Sequence, residues 1–154
     1  MQQINQPLGI DRCNCFAMRK AARQISRFYD AHLEPSGIRI TQFLTLAALN
    51  QLGSAAVSAL AERLDIERTA MGKMIEFLQR DGLVAIKPSR TDGRSRLIEL
   101  TKEGRRLHKK AAPLWEEAQR QFNQLNGIKR VNELRRGLTQ MAVDDGPTDS
   151  QSAS

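Results

Sequence analysis

The sequence predicts a mainly α-helical fold with a small β-hairpin wing: a winged helix-turn-helix set between long terminal helices. Three observations carry that expectation. Residues 57–101 read as two short helical patterns, VSALAERLD and ERTAMGKMIEFLQRDG, followed by the hairpin pattern LVAIKP, SRTDGRS, RLIELT. Apolar residues recur at helical spacing on both sides of that stretch. The chain also carries 24 Lys and Arg against 17 Asp and Glu, a formal charge of +7. That excess suits a polyanion such as DNA, although on composition alone it serves solubility equally well.

In chain order, the first helix is expected over about residues 11–33. Phe16, Ala21, Ala22, Ile25, Phe28, Tyr29, His32 and Leu33 form its apolar stripe, and Pro35 and Gly37 end it. A second helix is expected from Thr41, read as its N-cap, to the break at Gly53 and Ser54. The two helices of the helix-turn-helix follow, and Gly82 stops the second. The hairpin sets Val84 and Ile86 against Ile98 and Leu100, with Asp92-Gly93 as its turn. Thr101 is placed to cap a helix running to about Leu125, which Pro113 is expected to kink or split. A last helix over about residues 129–141 repeats Val131, Leu134, Leu138 and Met141. The regions are therefore an N-terminal dimerisation helix (11–34), a winged helix-turn-helix (41–101), C-terminal dimerisation helices (102–142) and a disordered tail (143–154), within one structural domain. The terminal stripes need a further surface to bury them, and a second copy of the chain is the simplest one. The competing reading is a monomeric bundle packed on its own hairpin.

Several classes are set aside. No apolar run is long enough to span a bilayer. MQQINQPLGID lacks the basic and apolar regions of a secretory signal, so a cytoplasmic setting is expected. Cys13 and Cys15 then form no disulfide framework, and His32 and His108 stand apart from any zinc spacing, so neither a metal nor a cofactor is expected.

The candidate DNA contacts lie on two elements. Arg68, Thr69, Ala70, Gly72 and Lys73 share the outer face at the start of the second helix-turn-helix segment, where side chains reach base edges. Arg68 and Lys73 suit guanine O6 and N7, Thr69 suits a base or phosphate, and Ala70 a thymine methyl. Gly72 lets backbone approach closely. At the hairpin tip Arg90, Arg94 and Arg96 surround Asp92, which is expected to brace an arginine. A solvated face is the default reading of each position taken alone, and a weaker one for the set.

ALAERLDIERTAMGKMIEFLQRDGLV and TDGRSRLIELTKEG resemble the MarR family of transcriptional regulators over about residues 11–141. Asp92-Gly93-Arg94 matches the family's D-x-R wing, and Leu100-Thr101-x-x-Gly104 its L-T-x-x-G. The resemblance implies a homodimer built from the terminal helices, Arg94 in a minor groove, residues 69–73 in a major groove of a pseudo-palindromic operator, and control by a small ligand or oxidant. Gly72 departs from the serine common there. CFAMRKAAR is similar to the segment bearing the reactive cysteine of the organic-hydroperoxide-sensing branch. Cys15 falls on that cysteine, Tyr29 matches a tyrosine bonded to it, and Arg19 replaces a second tyrosine.

Cys15 then has two readings, a small buried apolar residue or a sensing thiol. Arg19 favours the thiolate or pairs with an anionic or aromatic acid ligand. Cys13, two residues away on one helix, is expected to point elsewhere, which leaves a small thiol to resolve an oxidised Cys15. The leading reading is a homodimeric, sequence-specific regulator of double-stranded DNA, a repressor released by ligand or thiol oxidation, with no catalytic residues. The alternatives are a thiol peroxidase acting through Cys15, and a winged-helix protein–protein adaptor.

Overall fold

The computed structural model describes residues 9–141, so the expected tail lies outside the described residues. The chain divides into two compact units, with the boundary after Ala118. The first unit holds α1 (Asn14–Leu33), α2 (Ile40–Leu52), β1 (Ser54–Ala55), α3 (Val57–Leu64), α4 (Arg68–Arg80), β2 (Val84–Pro88), β3 (Arg96–Leu100) and most of α5 (Lys102–Asn126). The second holds the end of α5 and α6 (Ile128–Thr139).

Helix starts differ from the expected ones for identifiable reasons. A single 3-10 turn occupies Ile10–Arg12, and α1 begins only at Asn14. Cys13 takes an extended backbone (φ −80°, ψ 117°), and its Sγ accepts the Phe16 N–H at 3.4 Å, so the sulfur caps the helix. Thr41 is not the cap of α2. The helix starts at Ile40, whose N–H donates to the Asp30 carboxylate of α1 at 2.8 Å, while the Arg39 N–H donates to Gln42 Oε1 at 2.9 Å. The first bond comes from ten residues upstream, which no local capping rule detects.

The core of the first unit closes over the helix-turn-helix. Leu46 and Leu49 of α2, Leu60 of α3, Met71, Ile75 and Leu78 of α4, and Ile98 of β3 are all buried. Each contributes on the order of 2 kcal/mol by leaving water. Between α3 and α4, Asp65 adopts φ 50°, in the left-handed region, and the Ile66 N–H returns to the Ala61 carbonyl. The sheet has three antiparallel strands in the order β1–β3–β2. The two expected apolar arms pair, with Val84 opposite Leu100 and Ile86 opposite Ile98. The two-residue strand β1, pairing Ala55 with Ile98, was not foreseen.

The end of α4, the end of β3 and the start of α5 meet at Thr101. Its hydroxyl donates to the Gly82 carbonyl at 2.6 Å and accepts the Gly104 N–H at 3.0 Å. Its own N–H donates to the Leu83 carbonyl at 3.1 Å. Gly104 is required there, because a Cβ would lie 2.0 Å from the Leu83 oxygen.

Downstream, α5 runs unbroken through Pro113, so the expected split does not occur. Pro113 and Lys109, whose carbonyl the ring leaves without its helical donor, are both exposed to water. Phe43 of α2 stacks on His108 and Trp115 of α5, with centroids 5.5 and 5.8 Å away. Burial pushes the His108 imidazole below its usual pKa. In the second unit Val131 is buried, whereas Leu125, Ile128, Leu134, Leu138 and Met141 are exposed in the single chain.

Gly104→Ala is expected to destabilise the protein by about 2–4 kcal/mol, since backbone must move to admit the methyl group. Thr101→Val should cost about 1–2 kcal/mol through the lost cap. Urea unfolding midpoints check both, and a Gly104→Ala protein as stable as wild type would contradict the close approach.

Candidate nucleic-acid interface

The helix-turn-helix exposes one face of α4 and buries the other. Met71, Ile75 and Leu78 point into the core, while Arg68, Thr69, Ala70 and Lys73 are exposed and Gly72 is half-buried. A Cβ at Gly72 would meet no heavy atom within 4 Å, so the fold itself does not demand glycine there. The structure thus brings the five helix positions singled out from the sequence onto one outward surface.

The wing places Arg90, Arg94 and Arg96 in or beside the loop between β2 and β3. Asp92 organises that loop, but by a different contact from the one expected. Its carboxylate accepts the Arg94 backbone N–H at 3.1 Å and the Ser95 hydroxyl at 3.0 Å rather than a guanidinium. The Ser95 N–H donates to the Asp92 carbonyl, and the Ser89 N–H to the Ser95 carbonyl at 2.7 Å. Gly93 keeps a negative φ, so the tip is a longer loop closed by side chains and not a two-residue turn. Ser89 and Ser95 were missed from the sequence. An Asp followed by Ser at the third position was the only hint.

Lys87 of β2 pairs with Glu99 of β3. That bond holds the Glu99 carboxyl below its ordinary pKa against partial burial, with Arg105 and Arg90 adding charge in the same sense. Glu99 is thus ionised and Lys87 neutralised. Among the described residues Arg68, Lys73, Arg90, Arg94 and Arg96 form no ion pair.

The sensing residues lie on α1 and are not brought together within one chain. Cys15 and Arg19 are one helical turn apart and exposed, so Cys15 is no buried apolar residue in the single chain. Tyr29 is buried and lies fourteen residues further on. At 1.5 Å per residue that is about 21 Å along the helix. Cys13 is also exposed and is the N-cap of α1 rather than a residue of the helix, so the argument from helix-interior spacing does not apply to it. Among the described residues no group of three or more His, Cys, Asp or Glu is placed to hold a metal ion. No helix of the described residues is long and apolar enough to cross a membrane.

The family profile described as MarR family matches residues 36–95. The crystal structure of the transcriptional regulator MosR of M. tuberculosis in complex with DNA is 39% identical, with a TM-score of 0.73, over 84% of this chain and 95% of that one. The chain belongs to the MarR family. The organic hydroperoxide resistance transcriptional regulator of Bacillus subtilis is 29% identical over 65% of this MarR-family chain and 68% of its own length. The transcriptional activatory protein BadR of Rhodopseudomonas palustris is 30% identical over 60% of this chain and 54% of its own. The protein is a winged-helix, DNA-binding transcriptional regulator of the MarR family.

Asp92→Ala should leave global stability almost unchanged, within about 0.5 kcal/mol, because the loop is exposed. It should speed hydrogen exchange at the Arg94 amide, which loses its acceptor. Exchange at that amide as slow as in wild type would show that Asp92 does not organise the tip.

Proposed function

We propose that the protein is a homodimeric, operator-specific repressor whose hold on double-stranded DNA is relaxed by oxidation of a thiol at the start of α1. The carrying observation is the two-faced α4: a buried apolar face fixes the helix, and the outward face presents Arg68, Thr69, Ala70, Gly72 and Lys73 beside a wing whose arginines form no ion pair among the described residues. Base edges are the role assigned to the helix residues, and the minor groove the role assigned to Arg94. Arg90 and Arg96 contribute phosphate contacts, which position without reading sequence. Asp92 acts by shaping the tip.

The dimer reading rests on apolar surface the single chain leaves in water: Met18 on α1, and Leu125, Leu134, Leu138 and Met141 in the second unit. The two terminal regions, 11–34 and 102–142, are the proposed dimerisation elements. An antiparallel second copy of α1 is also the simple way to bring a Tyr29 to a Cys15, since about 21 Å separates them in one chain. The two-fold axis would then cross near Ala22, whose small side chain permits close approach.

Thiol sensing is supported by two exposed cysteines flanking the helix start and by the hydroperoxide-resistance regulator among the relatives. A hydroperoxide would oxidise Cys15 to a sulfenic acid and leave as the alcohol. A second thiol, from Cys13 or a small molecule, would displace water to form a disulfide. In this reading the chain is a sensor that reacts once per thiol and not a peroxidase. A second reading is favoured by Arg19, an exposed cation one turn from Cys15, which suits the carboxylate of an aromatic acid ligand.

In gel shifts at fixed salt, Arg94→Ala should weaken every duplex by about 1–3 kcal/mol, and Lys73→Ala should change the ranking of operator sequences. Unchanged affinity for Arg94→Ala would remove the wing from the interface. One equivalent of cumene hydroperoxide should release wild type but not Cys15→Ser. Release of Cys15→Ser by peroxide would end the redox reading. Release of wild type but not Arg19→Ala by aromatic acids would establish the ligand reading instead.

A further inference from the structure

The outward face of α4 carries one side chain that does not suit a purely polar surface. Phe77 is 45% exposed, and among the described residues no other large hydrophobic side chain of the helix-turn-helix or wing is exposed. Its ring meets no other ring and no cation among the described residues.

At 3.6 residues per turn, Phe77 stands two turns beyond Ala70 on one ridge of the helix, with Lys73 between them. Met71, Ile75 and Leu78 occupy the buried side. Lys73 and Arg80, one turn before and one turn after Phe77, are exposed and form no ion pair among the described residues. Unneutralised cations on both sides of an apolar ring suit a polyanion better than an apolar protein surface. Neither Phe77 nor its exposed neighbour Glu76 offers a side-chain donor to a phosphate. The ring therefore suits the floor of a groove, where the apolar feature that a base pair presents is the thymine 5-methyl group.

We infer that Phe77 is a specificity-determining residue that packs on the 5-methyl group of a thymine, further along the major groove than the base that meets Ala70. Ala70 and Phe77 are about 10 Å apart along the helix, roughly two to three base pairs of groove. The inference rests on the DNA-binding reading above and adds a residue that reading does not use.

Selection from a random-sequence duplex pool with wild type should fix a thymine at one such position in each half-site. Selection with Phe77→Ala should relax that position alone. In the selected duplex, replacing that thymine by deoxyuridine removes the methyl group and keeps the base pair. It should weaken wild type about three- to fivefold, the worth of burying one carbon, and leave Phe77→Ala unaffected. The ratio of thymine to deoxyuridine affinity is read within each protein, so a general loss of folded protein does not mimic the result. Phe77→Leu, which keeps an apolar side chain, should retain part of the ratio. If Phe77→Ala weakens both duplexes alike and keeps the wild-type ratio, the ring only supports the helix and the inference fails. If Phe77→Ala binds every duplex as wild type does, the ring faces water or a different partner, and the inference fails again. If wild type binds no duplex at any salt, the DNA reading itself falls, and this inference with it.

Discussion

The hydroxyl of Thr101 ties three elements together, and the geometry of the DNA-facing surface depends on it. It donates to the Gly82 carbonyl just after α4 and accepts the Gly104 N–H in the first turn of α5. Its backbone extends β3 onto the Leu83 carbonyl. Each hydrogen bond is worth about 1 kcal/mol net, which alone is modest. The steric constraint at Gly104 makes the joint stiff, because the Leu83 oxygen occupies the place a side chain would take. This joint, together with the packing of α4 against β2 in the common core, sets the separation of α4 and the wing.

The same joint places the rest of the first unit within mechanical reach of DNA. Asp30 of α1 caps α2 through the Ile40 N–H, and Phe43 of α2 stacks on His108 and Trp115 of α5. The start of α5 is held by Thr101, which also holds the ends of α4 and β3. The end of α1 is therefore joined through α2 and α5 to the ends of α4 and β3. Contiguity alone does not create control. Oxidation must favour the DNA-free arrangement by several kcal/mol to empty an operator. A disulfide at Cys13 or Cys15 acts where the backbone passes from an extended N-cap into helix, and the Cys13 sulfur cap is lost if that sulfur is used.

Most of the fold was legible because local rules and tertiary packing agree. The helical spacing of Leu60, Ala61 and Leu64, and of Met71, Ile75 and Leu78, is the spacing of the buried face. The hairpin register follows from apolar alternation, and Thr101 caps α5 as its position suggested. The misses came where a distant group overrode a local signal. Thr41 yielded the cap of α2 to Asp30, β1 was too short to show a period, and Pro113 is tolerated on a wet face. In the site, the positions of the helix and wing residues were legible. The serine network that shapes the wing was not, since serines in a loop read as solvation. The spacing argument for Cys13 and Cys15 assumed a helix interior, and a sulfur-capped helix start is not one.

Net charge was the weakest of the sequence arguments, and the structure explains why. A charge of +7 says nothing about where the cations stand or which are already neutralised. Lys87 is paired with Glu99, Arg106 with Glu103 at 3.0 Å, and Lys129 lies 4.0 Å from Glu133. Arg68, Lys73, Arg90, Arg94 and Arg96 form no ion pair among the described residues, and all belong to α4 or the wing. Counterion release depends on cations that meet phosphates, so the placement of the cations and not the formal total sets the salt dependence of binding. Position and not number therefore carries the argument: α4 and the wing set these five cations beside the two surfaces that a DNA-binding protein of this fold presents.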